Sequence, residues 1–359
     1  MSSHDVNWSI ISEIEDLQAL WEKWDTLLAN TPLDQLFNSS DWLINWIASY
    51  WEQHWQLSVH TAWSNKELVA IIPLYHQSDT TERKSAVSYP LGQGEPEHME
   101  VASEYLDIIV SPTWYSVLKE DIYRRIQRNS NVLKWRAAMK GAYILDLLQG
   151  TEHISSPATR YLTENKKFEL SMLSKNTRAQ HNRALNKLKK NYQYSFRWVA
   201  PDEAFTIFDI LSELHTQRWQ SIGKTGAFTD NAFLTFHRQF IQHRHCAFSV
   251  LEVEGKIIAI NYYFTKKGIL YFYQSGWNNK DFQHLSPGLL LHCWSIKNTE
   301  HETYDFMMGA AKHSYKSKLS TSMLPMVSIE AALSMPYTLK FKFKKTAKKA
   351  RHYLQQFMR

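Results

Sequence analysis

Residues able to move a proton or hold an anion fall into four stretches of this 359-residue chain. The first is LHTQRWQSIGKTGAFTD, residues 214–230. Ile207, Phe208, Leu211 and Leu214 form an apolar stripe at helical spacing that runs on into His215 and Arg218, so two polar groups fall where the last turn should face inward. They would form the floor of a cleft. Alternatively, they sit there because a helix C-terminus favours cations through its dipole. Asp230 ends the stretch, where it either caps the next helix or binds a ligand.

The second stretch is Ser286-Pro287-Gly288, directly after a predicted strand. Ser as N-cap with Pro at the first helical position marks a helix start. The free N–H groups of that start would suit an anion, and Gly288 would let a pyrophosphate approach the backbone. An ordinary capped helix fits the same three residues. The third is GAAKHSYKSKL after the strand TYDFMM, which puts Lys312, His313, Tyr315 and Lys316 just beyond a strand end, a frequent place for active-site groups. A solvated basic loop is the simpler reading for Lys312 and Lys318. In the fourth, YFYQSGW, the period of two puts Tyr271 and Tyr273 on one face and Phe272 and Gln274 on the other, with core packing expected for most.

Other chemistries lack their residues. GxSxG, HExxH, the Walker A pattern and a GxGxxG after a strand are absent. Two cysteines, Cys246 and Cys293, have no paired spacing, so neither a disulfide framework nor a cysteine zinc site is expected. His237, His243 and His245 are expected at the surface, and no metal is expected.

The elements that must position these groups repeat. At a gapless offset of 189 residues, LSVHTAWSNKELVAIIPLY (57–75) lies on CAFSVLEVEGKIIAINYYF (246–264), both reading strand, turn, strand. That offset places Ala70 on Ala259 and Asp41 on Asp230. Helical patterns precede each hairpin, at 16–28 and 205–219, each followed by a loop and a second helix. In the second half a meander runs through 247–253, 257–265 and 269–277, then a helix from 287 and a strand at 303–308. The fold class is thus mixed α/β, with two related domains, each a mostly antiparallel sheet flanked by helices. The expected divisions are 1–165, a basic helical segment at 166–197, 198–336, and a basic amphipathic tail at 337–359.

Charge is concentrated. Residues 337–359 hold eight Lys/Arg and no acid, and 166–197 hold nine against Glu169 alone; they account for +16 of a net +6, leaving the rest of the chain at −10. The tail mixes Lys with Phe341, Phe343, Tyr353, Leu354 and Phe357, which suggests reversible contact with an anionic membrane. Segment 166–197 is either a solvated linker helix or a grip for a polyanion. The start, MSSHDVNWSI, reads as neither signal peptide nor span, so a cytoplasmic protein, peripheral at most to the inner membrane face, is expected. Fourteen Trp, 18 Tyr and 17 Phe anticipate stacked cores or aromatic clefts.

LHTQRWQSIGKTGAFTD, the FHRQF that follows, LSPGLLL, and YDFMMG…YK, in that order, resemble acyltransferases of the CelD/BcsL type, named for cellulose biosynthesis. These are similar to GCN5-related N-acetyltransferases (GNAT) and, through a tandem arrangement, to Fem-type aminoacyltransferases. The resemblance spans about 15–335, with its sharp motifs in 170–320. It implies tandem GNAT-like domains and transfer of an acyl group, commonly from acetyl-CoA or another acyl-CoA, to an amine or hydroxyl of a saccharide or envelope precursor. His215, Arg218, Trp219, Gly226, Asp230, Ser286, Pro287, Gly288, Asp305, Gly309, Tyr315 and Lys316 occupy the motif positions. The usual GNAT pyrophosphate loop is replaced by FQHLSPG. On this basis His215 would take a proton, its ordinary pKa lying near neutrality. Lys316 or Arg218 would stabilise negative charge, and Tyr273 would protonate the leaving group. Trp219, Asp230, Asp305 and Tyr315 would bind substrate, and Ser286, Pro287 and Gly288 the donor's phosphates. Two alternatives stay open: a Fem-like ligase using aminoacyl-tRNA, for which 166–197 would grip the RNA, and a non-catalytic scaffold of a polysaccharide machine.

Overall fold

Two hairpins carry the repeat into three dimensions. Asn65-Lys66 and Glu254-Gly255 turn them, all four residues with positive φ (49°, 67°, 50° and 70°), as a two-residue turn matched to the twist of its strands requires. Each hairpin has one bulge at the equivalent place, leaving Val69 unpaired in one and Ile258 in the other; Ala70 then pairs with Ala62, and Ala259 with Leu251. A computed structural model describes residues 5–78, 86–128, 130–220, 223, 226–243, 245–278, 280–309 and 314–357, with backbone alone for Arg218 and 347–357.

In chain order the first half comprises β1 (Val6–Ile11), α1 (Ile14–Leu17), α2 (Trp21–Ala29), α3 (Ser40–Tyr50), β2 (Gln56–Ser64), β3 (Glu67–Ser78), β4 (Ala86–Pro90), β5 (Ile109–Val110), α4 (Pro112–Gln127), β6 (Val132–Met139), α5 (Tyr143–Leu147) and β7 (His153–Glu164). The second comprises α6 (Lys175–Asn191), β8 (Tyr194–Trp198), α7 (Ala204–Gln220), α8 (Asn231–Gln242), β9 (Cys246–Val253), β10 (Lys256–Lys266), β11 (Ile269–Trp277), α9 (Pro287–Asn298), β12 (Thr303–Gly309), β13 (Ser322–Ala332) and α10 (Met335–Phe357).

One sheet runs through both halves in the order β1-β2-β3-β4-β6-β13-β7-β12-β11-β10-β9-β8, with β5 beside β3. The order is a palindrome with an exchange at its centre. β7, from the first half, pairs with β12, and β13, the last strand of the second, pairs with β6; the two exchanged strands also pair with each other. Both halves thus have the same meander order, and the tandem mixed α/β architecture expected from the sequence is present.

The gapless offset slips at one place. Asp230 caps α8, accepting from the N–H groups of Ala232 and Phe233, whereas the cap of α3 is Ser39 and Asp41 lies inside its first turn. Ser39, two residues earlier, is therefore the counterpart of Asp230. Asp41 instead joins the halves, taking Lys266 Nζ at 3.1 Å and His245 Nε2 at 3.2 Å.

Neighbouring residues of β11 define the two layers. Gly276 meets α7, where an added Cβ would lie 2.9 Å from Leu214 and 3.0 Å from Leu211, while Trp277 faces Gly288 of α9. Since successive strand residues point to opposite faces, α7 and α9 cover opposite sides. On the α7 side, α3 packs on α8, and Trp42 meets Phe236, Phe240 and Phe264 edge-on with ring centroids 4.8, 5.3 and 5.0 Å away. This is where much of the aromatic surplus goes. His237, expected at the surface, is fully buried here, because its stripe position in α8 points at the sheet. The tail forms the helix α10, but Phe341, expected to meet a membrane, is 3% exposed and packs with Val132 and Ala332. No helix among the described residues is long and apolar enough to cross a membrane.

Candidate functional site

β11 and β12 pair in parallel only over Ile269–Tyr271 and Thr303–Asp305, and then part. Each strand carries an irregularity at the parting point. Tyr273 is the extra residue of a bulge on β11, and the β12 register shifts between Asp305 and Met308, with Met307 at φ 60°. Bulges re-aim a strand, and these two lie where the split opens.

On the α9 side a cavity of about 440 Å³ lies against this end of the sheet. Ser275 and Trp277 of β11, the start of α9 and Tyr315 line it, so Ser286, Pro287 and Gly288 lie together with Tyr315. Ser286 differs from the expected cap. Its backbone is left-handed (φ 45°, ψ 51°), its side chain caps nothing, and it instead receives Gln180 Nε2–H of α6 at 3.0 Å. A Cβ on Gly288 would meet only the Trp277 ring, at 3.9 Å. The glycine is therefore not imposed by packing, and the space above it belongs to the cavity.

His292 also lines this cavity and was not singled out from the sequence. One turn on from Gly288, it shares that face of α9. Its Nδ1 lies 2.8 Å from the Tyr304 hydroxyl and its ring 4.5 Å from Phe272, and burial pulls its pKa down to about 3. The ring is neutral at physiological pH. The spacing Gly288–His292–Ser295 was the available signal; it was masked by the apolar run around it.

The other candidates separate into two further groups. On the α7 side, His215 accepts from Trp219 Nε1–H at 2.8 Å and packs 4.7 Å from Phe228. A Cβ at Gly226 would lie 2.9 Å from His215 Nδ1, so glycine is required there. Asp230 caps α8 nearby, and the Arg218 side chain, with Lys312 and His313, lies outside the described residues. Tyr273 faces this layer, its hydroxyl 3.2 Å from His237 Nε2. Burial, helped by Tyr50 and Glu95, holds its phenol well above the ordinary pKa, so it remains an O–H donor.

Asp305, fully buried, and Lys316, half-buried, form the third group where the halves meet. Asp305 takes Arg160 Nη2 at 2.6 Å and Nε at 2.9 Å, the Tyr105 hydroxyl at 3.3 Å and the Met307 N–H at 2.7 Å. Lys316 Nζ donates to the carbonyls of Phe306 and Met308, each at 2.6 Å; burial lowers its pKa while Glu104 and Asp305 oppose the fall. These contacts join β12 to β7 and to residues 104–105. The structure thus brings Ser286–Gly288 together with Tyr315, and His215 with Trp219, while Asp305 and Lys316 occupy the junction of the halves.

A second cavity of about 410 Å³ opens in the first half, beside Tyr89, Glu95, Glu97, Lys134 and Arg136. Glu95 accepts from Trp46 Nε1–H at 3.2 Å and from the Val101 N–H at 3.1 Å, and burial raises it to about 7. Glu95 and Arg136 both act electrostatically on the Tyr273 phenol. No sequence motif marked it. Among the described residues no three His, Cys, Asp or Glu gather as a metal site.

Residues 175–317 match the family described as an acetyltransferase (GNAT) domain. Among solved structures, FemX superposes with a TM-score of 0.58 at 9% identity, over 90% of this chain and 96% of that one. The C-terminal domain (DUF2156) of a putative lysylphosphatidylglycerol synthetase from Agrobacterium fabrum gives 0.51 at 10% identity, over 90% and 95%. A tandem GNAT protein from the clavulanic acid biosynthesis pathway gives 0.50 at 11%, over 92% and 99%. No curated protein sequence matches the chain. At these identities the likeness is one of fold: a GNAT acyltransferase-like fold in tandem.

Proposed function

We propose that this chain moves an acyl group from an acyl-CoA to an amine or hydroxyl of a saccharide or cell-envelope precursor, in the manner of the polysaccharide-linked acyltransferases its motifs resemble. The observation that carries the reading is the split between β11 and β12 with the first turn of α9 beside it. First-turn amides have no intrahelical acceptor, so the N–H groups of Gly288 and Leu289, at the positive end of the helix dipole, suit a pyrophosphate. Helical spacing puts Arg183 and Lys187 of α6 on the face of Gln180, which lines the same cavity, giving exposed cations for a further phosphate.

The bound donor supplies an activated thioester carbonyl. The acceptor enters from the opposite side of the sheet, by the cavity of the first half. Glu95, with a pKa near 7, takes the proton of the incoming amine or hydroxyl as the new bond to the carbonyl carbon forms. Tyr273 gives its proton to the departing sulfur as the carbon–sulfur bond breaks and is reprotonated with the proton that Glu95 has collected. One proton thus passes in net from acceptor to thiol, and both side chains return to their starting states. His292, held neutral, lends the donor cavity a polar group without charge.

Calorimetric titration with acetyl-CoA, then with longer acyl-CoAs, tests the reading. Binding that Gly288→Val removes is expected; a folded protein that binds no acyl-CoA overturns it. The exposed basic face of α6 beside the donor cavity favours one second reading, an aminoacyl-tRNA donor. In that case charged tRNA, and not acyl-CoA, would bind, and Arg183→Glu with Lys187→Glu would abolish the binding.

A further inference from the structure

The last helix has two unlike faces. Phe341 and Tyr337 seat α10 on Val132 and Ala332, and Lys345 pairs with Glu152 on the same side. At 100° per residue, Met335, Leu339 and Phe343 fall on the opposite side. They are 76%, 55% and 75% exposed, and among the described residues Met335 and Phe343 are the most exposed large apolar side chains. Lys342 and Lys340, both exposed, flank this stripe on its two sides, while Lys344 turns toward the seat, its Nζ 5.8 Å from the centre of the Phe341 ring; from Tyr337 to Arg359 there is no acid.

An outward apolar stripe bordered by cations alone is the pattern of a helix lying in a membrane interface. A second copy of the same face would set lysine against lysine, so charge complementarity favours an anionic surface. We propose that α10 docks this protein, lying in the plane, on an anionic bilayer. Met335, Leu339 and Phe343 enter the acyl boundary, and Lys340 and Lys342 rest on lipid phosphates. Ile154, which packs against the seat of α10, also lines the first-half cavity together with Lys134 and Glu330, so that cavity adjoins the inward face of the docking helix. A membrane-borne acceptor would follow; this last step rests on the acyltransferase reading, and the docking does not.

The test is co-sedimentation of the full chain with vesicles of phosphatidylcholine alone and of phosphatidylcholine with one third phosphatidylglycerol. Pelleting is expected only with the anionic vesicles, at low salt, with release as screening increases. Leu339→Asp with Phe343→Asp, and separately Lys340→Glu with Lys342→Glu, should each lower vesicle affinity at least about tenfold. Phe341 and Tyr337 are untouched in both variants, so an unchanged thermal melt shows that the helix seat is intact. Equal pelleting on neutral vesicles, or full pelleting of either variant, overturns the proposal. So does a dimer, seen by sedimentation velocity and dissolved by Leu339→Asp, in a protein that ignores lipid. Pelleting needs no acyl donor, so failure of the acyltransferase reading would leave this result standing.

Discussion

Arg160 on β7 and Asp305 on β12 are joined by two hydrogen bonds, 2.6 and 2.9 Å, across the seam between the two halves of the chain. Asp305 is fully buried, and the guanidinium also lies 3.8 Å from Asp34 and from the centre of the Tyr105 ring. Removing one partner leaves an uncompensated charge in the interior. Asp305→Ala should cost about 3–5 kcal/mol in urea unfolding, and Arg160→Met with Asp305→Leu should recover most of it. Equal losses in the single and double variants would contradict this account of the seam.

Gly288→Val separates the donor site from the fold. The added side chain meets open space at the start of α9, so the melting temperature should stay near that of the parent. Acetyl-CoA affinity should fall about tenfold or more, since the new carbons occupy the approach to the amides. Loss of stability equal to the loss of binding would show that the glycine serves packing instead.

Glu95 gives opposite signs for stability and rate. Burial raises its pKa from 4.5 to about 7, so the folded state holds a proton that the unfolded state has released. Its contribution to stability is complete below pH 4.5 and falls as pH rises to 7, by up to about 3 kcal/mol. Glu95→Gln should therefore stabilise the protein at pH 8. As the proton acceptor, however, Glu95 should make kcat/KM rise with pH around 7, and the Gln variant should lose about 10²–10⁴-fold and flatten the profile. A variant that is more stable and equally active would remove Glu95 from the mechanism.

His237 and His292 work in the other direction. Both are buried and lowered from 6.5 to about 3, so the unfolded chain binds the extra protons. Their stabilising contribution is present above pH 6.5 and is lost as pH falls toward 3. The melting temperature should drop between pH 6 and 4, and His237→Gln should shrink that drop while lowering stability at pH 7. An unchanged slope in the variant would assign the acid sensitivity elsewhere.

The hairpins, the turns at 65–66 and 254–255 and the helix start at Pro287 were legible because each depends on a few adjacent residues. The exchange of β7 and β13 was not, since a strand's pattern of burial does not name its neighbour. Parity explains another gap. A period of two assigns faces correctly from Tyr271 to Tyr273, but the bulge at Tyr273 brings Ser275 and Trp277 to the α9 side. Asp305 and Lys316 were visible as polar residues near a strand end, yet the side chains that hold Asp305 come from positions 105 and 160, far away in sequence. Glu95 carried no local mark at all, because its raised proton affinity arises from burial by the folded chain, against the opposing hydrogen bond of the distant Trp46.

The strand exchange has a consequence for synthesis. β6 waits for β13, which leaves the ribosome close to two hundred residues later. Until then the nascent first half presents open strand edges at β6 and β7, which are templates for pairing with other chains. A polypeptide stalled or clipped before β13 would keep those edges exposed, so shielding by a chaperone should matter most in the interval between the emergence of β6 and that of β13.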